Sequence, residues 1–180
     1  MNDPQANATI TFRPMTLDDV ARVHQIDQLS FAMPWSERSY RFELTENKNA
    51  VAWVAERKDL ESTQVIGMIV IWAILDEAHI ATVAIHPDYR GQGLGRRLLA
   101  RALMAAHERG ARLAYLEVRR GNLTAQKLYN QFGFEVVGER PRYYIDNNED
   151  ALLMTMSPMD PQQLAELYEK NTSKEVRRGA

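Results

Sequence analysis

The clearest ligand-binding signal in this chain is a glycine-rich segment, Arg90-Gly91-Gln92-Gly93-Leu94-Gly95-Arg96. Glycines let consecutive backbone N–H groups turn toward one point, and the start of a helix adds positive potential there. A phosphate or pyrophosphate is the ligand that such amides prefer. Arg90, Arg96 and Arg97 are expected to add mobile positive charge nearby. We therefore predict a phosphate-binding loop at this helix start.

The spacing of the glycines narrows the choice of phosphate ligand. Gly95 is followed by Arg96-Arg97 instead of Lys-Ser/Thr, which disfavours a nucleoside-triphosphate loop. The pattern is GxGxG, not the GxGxxG of dinucleotide sites. The structural alternative is a helix start that merely tolerates glycine, although idle glycines there would cost stability.

Glu117 is the candidate general base. It ends a strand-like segment, Leu113–Val118, and alternation places it on one face with Leu113 and Tyr115. A carboxylate in an apolar strand is costly unless it is paired or neutralised. Ligands of open α/β sheets gather at the carboxyl ends of strands, where Glu117 lies. The alternative is a structural ion pair with Arg119, Arg120 or another arginine.

Tyr129 is the candidate proton donor. It lies one step from the apolar face of a helix predicted over Leu123–Phe132, which Asn122 caps. A phenol with a pKa of about 10 stays protonated at neutral pH and can donate to a leaving group. The alternative is a tyrosine that packs at the edge of the core.

The elements that must position these residues alternate along the chain. Hydrophobic periodicity predicts a strand, two helices, three strands, a helix, a strand, a helix, two strands and a last helix. Ser36 can cap the second helix, the long helix from Leu94 has an apolar stripe that includes Leu98, Leu99 and Leu103, and the sixth strand is predicted at Glu135–Val137. This order indicates an α/β fold with a mixed sheet covered by helices on both faces. Strand, helix and strand between His79 and Val118 predict a parallel crossover. We expect a flexible tail at 1–8, one domain at 9–158, and a C-terminal helix with a frayed tail at 159–180.

Composition excludes several classes of protein. The 180 residues include no cysteine, which excludes disulfides, thiol nucleophiles and thiolate metal sites. The four histidines lack ligand spacing, so no metal is expected, and each is interpreted as a surface or core residue. A net charge of −2 argues against nucleic-acid and membrane partners. No export signal is visible, and the chain is expected to be cytoplasmic.

One longer segment carries a family resemblance. It reads Val83-Ala84-Ile85-His86-Pro87-Asp88-Tyr89-Arg90-Gly91-Gln92-Gly93-Leu94-Gly95 and resembles the acetyl-CoA motif of the GNAT N-acetyltransferases. The resemblance implies acetyl-CoA as co-substrate, with its pantetheine arm along Val83, Ala84 and Ile85. The pyrophosphate would lie on the amides from Gly91 to Arg96, and Asn122 would also meet the cofactor. It further implies a single GNAT-like domain whose strands splay apart where the thioester enters.

Shorter segments resemble one bacterial branch of that family, the ribosomal-protein-alanine N-acetyltransferases. They include Pro34-Trp35-Ser36, Leu116-Glu117-Val118-Arg119, Phe132-Gly133-Phe134 and Tyr143-Tyr144. The resemblance implies Glu117 as proton acceptor, Tyr129 as proton donor and the N-terminal alanine of a small-subunit ribosomal protein as acceptor. The loops Phe31–Trp35 and Arg142–Asp146 would flank the acceptor.

Trp35 and Tyr144 are the candidate substrate contacts in those loops, with packing as the alternative role for both. The sequence has neither a cysteine nor a GxSxG motif for a covalent intermediate, and we expect the amine to attack the thioester directly. Two other functions stay open, which are acetylation of a lysine or small-molecule amine, and non-catalytic acyl-CoA binding.

Overall fold

The computed structural model describes residues 8–170. The predicted tail at 1–8 and the frayed C-terminus therefore lie almost entirely outside the described residues. Helices and strands follow one another in nearly the predicted order. The strands are β1 (Thr9–Pro14), β2 (Ala50–Lys58), β3 (Thr63–Ile74), β4 (Glu77–Ile85), β5 (Leu113–Arg119), β6 (Glu135–Tyr144) and β7 (Glu149–Met156). The helices are α1 (Val20–Gln28), α2 (Glu37–Thr45), α3 (Leu94–Glu108), α4 (Leu123–Gln131) and α5 (Pro161–Glu169).

The strands form one seven-stranded sheet in the order β1-β2-β3-β4-β5-β7-β6. Neighbouring strands are antiparallel except β4 and β5, which are parallel as the crossover predicts. These two strands pair only where Glu77–His79 meets Leu113–Tyr115. Beyond His79 they are no longer paired, although β4 runs on to Ile85 and β5 to Arg119. This separation, which we call the gap, confirms the expected splay of the strands.

Helices cover both faces of the sheet. The long helix α3 buries the predicted apolar stripe, including Leu98, Leu99 and Leu103, against the sheet. Burial of each leucine stabilises the fold by about 2 kcal/mol. Helix α5 buries Leu164 in the same cluster. On the other face, α1 and α2 enclose a second cluster that includes Val23 and Tyr40.

Strand β6 is longer than its sequence predicts. The expected strand covered only Glu135–Val137, but β6 continues to Tyr144, so the loop predicted at Arg142–Asp146 is partly strand. β6 is an edge strand with mostly exposed side chains, and it therefore lacks the alternating pattern on which strand prediction depends. Its register shifts between Arg140 and Tyr144, where Arg142 adopts a φ of 51°.

No helix within residues 8–170 is both long enough and apolar enough to cross a bilayer.

Candidate active site

The glycine-rich segment forms a turn of backbone amides at the start of α3, which we call the glycine cradle (residues 91–96). Gly91 and Gly93 adopt φ values of 75° and 72°, which L side chains disfavour. Gly93 is the N-cap of α3, and the first intrahelical bond runs from the Arg97 N–H to the Gly93 carbonyl at 3.2 Å. The N–H groups of the first helical turn, residues 94–96, therefore precede the helical ladder and suit an anion.

The Arg96 side chain does not belong to the cradle. It is buried and donates to the Leu167 carbonyl at 3.0 Å and to the Lys170 carbonyl, both at the end of α5. The prediction of mobile positive charge is therefore wrong for this guanidinium. Of Arg96, only the backbone N–H faces the helix start, because its position on α3 directs the side chain toward α5.

Two other arginines near the cradle are also engaged elsewhere. Arg90 Nε donates to the Ile85 carbonyl and its Nη2 to Ser30 Oγ, each at 2.9 Å. The Arg97 guanidinium lies over the Phe12 ring, 4.9 Å from its centroid. Both contacts correct the expectation of freely moving cations, and they leave the cradle as a site made mainly of backbone.

The last residues of β4 present main-chain groups to the gap. The His86 N–H donates to the Ile66 carbonyl at 2.8 Å on the β3 side. Because peptide groups of an antiparallel pair alternate in direction, those of Val83 and Ile85 point away from β3, toward the gap. The Ile85 carbonyl already accepts from Arg90. Val83 thus offers the main-chain edge nearest to an extended ligand, while Ala84 packs into the core on the α1–α2 face.

The cradle, the end of β4 and helix α4 meet at Gly95. A Cβ placed on Gly95 would lie 3.7 Å from Ile85 Cγ1 and 3.7 Å from Leu128 Cδ2. Leu128 precedes Tyr129 on α4. The Asn122 side chain caps this helix by accepting from the Ala125 N–H at 3.1 Å, as predicted. A ligand on the cradle can therefore extend toward the gap alongside α4.

Glu117 is held by two basic side chains. Its Oε2 lies 2.8 Å from His79 Nε2, and its Oε1 lies 3.2 Å from Arg140 Nη1. The carboxylate side chain is only 12% exposed, whereas that of Arg140 is 53% exposed. The alternative of an ion pair with an arginine is therefore found, and the partner is Arg140. Arg119 and Arg120 pair instead with acidic residues around β6 and β7.

Sequence reasoning missed the role of His79, which it interpreted as a surface or core residue. His79 lies opposite Tyr115 in the last pair of the β4–β5 ladder. Tyr115 precedes Glu117 by two residues on β5. Its ring stacks on Tyr115 at 4.5 Å and meets Trp72 edge-on at 5.2 Å. Aligning the two predicted parallel strands would have been the only signal that joins His79 to Glu117.

Trp35 lies on the same face of the sheet. Its ring stacks on Trp72 at 6.2 Å and packs against Tyr40 at 5.4 Å. The backbone N–H of Trp35 donates to Asp27 Oδ2 at 2.5 Å, and this bond fixes the backbone after Pro34. Burial raises the pKa of Asp27, and the hydrogen bond from Trp35 offsets part of that rise. The structure thus assigns Trp35 a packing role beside the acidic site, and acceptor contact stays a prediction.

Tyr129 is 6% exposed and belongs to the core cluster that α3 covers. Its ring packs against Phe134, with the ring centroids 5.8 Å apart. Burial raises the pKa of Tyr129 above its ordinary value, and the neighbouring phenol of Tyr144 raises it further. The phenol therefore keeps its proton well into the alkaline range.

Tyr144 connects the phenol to the carboxylate. Burial raises the pKa of Tyr144 to about 12, despite the opposing effect of Arg119, whose guanidinium lies 3.9 Å from the ring centroid. Glu117 also contributes to that rise. Tyr144 is therefore close enough to influence Tyr129 and to be influenced by Glu117. No sequence pattern had linked Tyr144 to Arg119.

Together these groups can support transfer of an acyl group to an amine. A fixed carboxylate can accept a proton, a buried phenol can donate one, and backbone amides can hold a phosphate beside the gap. Within residues 8–170, no three His, Asp or Glu side chains are grouped to hold a metal ion. We call the His79, Glu117, Tyr129 and Tyr144 side chains the acid–phenol wall.

Comparison with known proteins agrees with this chemistry. Residues 20–134 match the model of the acetyltransferase (GNAT) family. A Bacillus subtilis protein, provisionally named a [ribosomal protein bS18]-alanine N-acetyltransferase, is 42% identical over 142 residues. That match covers 79% of this chain and 91% of the relative.

An Escherichia coli [ribosomal protein bS18]-alanine N-acetyltransferase is 33% identical over 157 residues, covering 81% of this chain and 96% of the relative. The crystal structure of the E. coli ribosomal-protein-S18-alanine N-acetyltransferase matches with a TM-score of 0.73 and 30% identity, covering 84% of this chain and 95% of that one. The Arabidopsis thaliana NAA60 structure with acetyl-CoA shares the fold, with a TM-score of 0.73 and 22% identity over 83% and 99% of the two chains.

Proposed function

Because this chain belongs to the GNAT acetyltransferase family, which uses acetyl-CoA, we propose that it acetylates the N-terminal α-amine of a protein. The proposed acceptor is the N-terminal alanine of the small-subunit ribosomal protein bS18, the substrate in the names of the B. subtilis and E. coli relatives. Such an acceptor would place the reaction in the cytoplasm. The observation that carries the proposal is the fixed carboxylate of Glu117 at the gap between β4 and β5.

The backbone of the glycine cradle would hold the pyrophosphate of acetyl-CoA. The amides from Gly91 to Arg96 supply the donors, and Asn122 lies at the start of the adjacent α4. The main chain of Val83 to Ile85 would pair with the pantetheine arm, in the manner of an added strand. The bound thioester would supply the acetyl group at the gap.

Glu117 would act as the general base. An α-amine has a pKa of about 8, so much of it carries an extra proton at neutral pH. Glu117 would accept that proton, directly or through water, and the free amine would then form the new C–N bond at the acetyl carbonyl. Holding both reactants in one cleft would supply much of the rate enhancement.

Tyr129 would act as the general acid. As the C–S bond breaks, its hydroxyl would donate a proton to the departing sulfur, so that free thiol leaves. The phenolate would regain a proton, directly or through water, from the new amide nitrogen, which must lose its second proton, and Glu117 would release its proton to solvent. Burial and the raised pKa support this role, because the phenol stays protonated at neutral pH. Trp35, before α2, and Tyr144, at the end of β6, would flank the acceptor residue near Glu117.

A combined kinetic and mass-spectrometric experiment tests the proposal. We expect the wild-type enzyme to add one acetyl group to the N-terminus of a bS18 peptide beginning with alanine. Glu117→Gln should lower kcat by about 10²-fold or more, with acetyl-CoA affinity within about twofold of wild type. Acetylation only of lysine side chains or free small amines would reject the acceptor, and unchanged kcat for Glu117→Gln would reject the base.

A further inference from the structure

We propose that His79 is a positioning residue that holds the Glu117 carboxylate in the orientation needed to accept the amine proton. The inference rests on the proposed function, since it assigns His79 a role through Glu117. It begins from the hydrogen bond between His79 Nε2 and Glu117 Oε2, which are 2.8 Å apart. An ionised carboxylate carries no hydrogen, so Nε2 must be the donor in this bond.

His79 is itself fixed from two sides. Tyr115 stacks on the imidazole with an interplanar angle of 10°, and Trp72 meets it edge-on at 73°. Trp72 is anchored in turn, since its Nε1 donates to the carboxylate of the buried Glu43 at 3.0 Å. A ring packed this way has little freedom to turn, so the direction of its N–H is set before any substrate binds.

The backbone places this ring at the opening of the gap. His79 and Tyr115 form the last pair in the β4–β5 ladder, and Glu117 lies two residues farther along β5 on the same face. The side chain at the last paired position of β4, His79, therefore supports Glu117, which lies just beyond the paired part of β5. A carboxylate on the unpaired part of β5 would otherwise lack a partner on β4.

Arg140 holds the other oxygen of Glu117 in a different way. Its guanidinium is half exposed and lies 5.4 Å from the centroid of the Tyr143 ring, and an ion pair made by an exposed side chain contributes little to stability. The half-exposed guanidinium on Oε1 faces solvent and can be displaced when an amine approaches, whereas the imidazole on Oε2 is packed between Tyr115 and Trp72. This contrast leaves Oε1 as the oxygen that meets the substrate and Oε2 as the oxygen that is held.

Two variants separate this role from simple packing. His79→Phe keeps an aromatic ring between Tyr115 and Trp72 but removes the donor. His79→Gln keeps an N–H at nearly the reach of Nε2 but removes the ring. We expect His79→Phe to lower kcat by about 10-fold or more, because small misplacement of a reacting group is costly. The KM for acetyl-CoA should change less than about twofold, and His79→Gln should recover most of the lost kcat.

A double variant shows whether the effect passes through Glu117. In a Glu117→Gln background, His79→Phe should cause little further loss, because two residues acting as a unit are not additive. Thermal melting shows whether each variant is folded. If His79→Phe does not fold, the test uses His79→Gln, whose kcat should stay within about threefold of wild type. A larger loss of kcat for a folded His79→Gln would then overturn the role of His79.

Distinct outcomes overturn the two proposals. Wild-type kcat for His79→Phe, equal losses for His79→Phe and His79→Gln, or the same loss in both backgrounds would overturn the role of His79. Unchanged kcat for Glu117→Gln would instead overturn the general base of the proposed function, whatever the His79 variants show.

Discussion

The glycine cradle and the acid–phenol wall are built from different parts of the chain. The cradle consists of six consecutive residues, and its donors are backbone N–H groups at the start of α3. The wall combines side chains from β4, β5, α4 and β6, which are brought together by the sheet and its flanking helix. A site made of backbone depends on local conformation, whereas one made of side chains depends on the whole fold.

This difference has a physical consequence for substitutions. A cradle of amides tolerates changes in side chain wherever φ is unrestricted, but not at the positive φ values of Gly91 and Gly93. The wall should tolerate only substitutions that keep the hydrogen bond or the proton that the side chain supplies, such as His79→Gln. We therefore expect wall variants to change kcat, and cradle variants to change acetyl-CoA affinity.

Among the variants that compare the wall with the cradle, removal of the Tyr129 phenol should have the largest effect. Tyr129→Phe should lower kcat by about 10²-fold, because the departing sulfur loses its proton donor. Affinity for acetyl-CoA should stay within about twofold, since the cradle is untouched. Steady-state kinetics and calorimetry give the two quantities, and Tyr143→Phe, which alters a more exposed phenol, should match wild type in both. A wild-type kcat for Tyr129→Phe would contradict the role of Tyr129 as general acid.

A smaller effect should follow from straining the cradle. Gly91→Val places a β-branched side chain at a φ of 75°, where strain of about 1–3 kcal/mol favours another backbone conformation. We expect the Kd for acetyl-CoA to rise by about 10-fold, with kcat at saturation nearly unchanged.

Gly133→Val is the matched control for the cradle. Gly133 has a φ of 82°, and neither Gly91 nor Gly133 has an atom within 4 Å of an added Cβ. The control should lose similar stability but keep the wild-type Kd. Equal Kd values for the two variants would show that strain at the cradle does not affect binding.

Local sequence patterns predicted most of the fold and all of the cradle backbone. The apolar stripe of α3, the Asn122 cap and the Ser36 cap of α2 each depend on residues within one or two helical turns, and the structure confirms them. The parallel pairing of β4 with β5 was predicted from the strand, helix and strand order of a crossover connection. These features were predictable because short-range geometry determines them.

The partners of long side chains were not predictable in the same way. His79 and Glu117 lie 38 residues apart, and their contact depends on the register of two parallel strands. Arg96 and the end of α5 lie more than 70 residues apart, and no local pattern indicates that α5 docks on α3. Arg140 reaches Glu117 from an edge strand that the sequence pattern underestimates.

The smallest effect on binding should come from Arg96, a charged residue inside the cradle. Arg96→Gln removes the guanidinium that donates to two carbonyls of α5 but keeps the backbone N–H. Lost hydrogen bonds from a charged group should lower the free energy of unfolding by about 1–3 kcal/mol, whereas the Kd for acetyl-CoA should change less than about twofold.

Arg101→Gln removes the same charge from the same helix, where the guanidinium lies over Trp53, and controls for long-range attraction of phosphate. Denaturant unfolding and calorimetry on both variants distinguish the two roles of Arg96. A Kd that rises about 10-fold for Arg96→Gln alone would mean that the cradle uses this side chain after all, because a purely structural arginine alters affinity no more than its neighbour does.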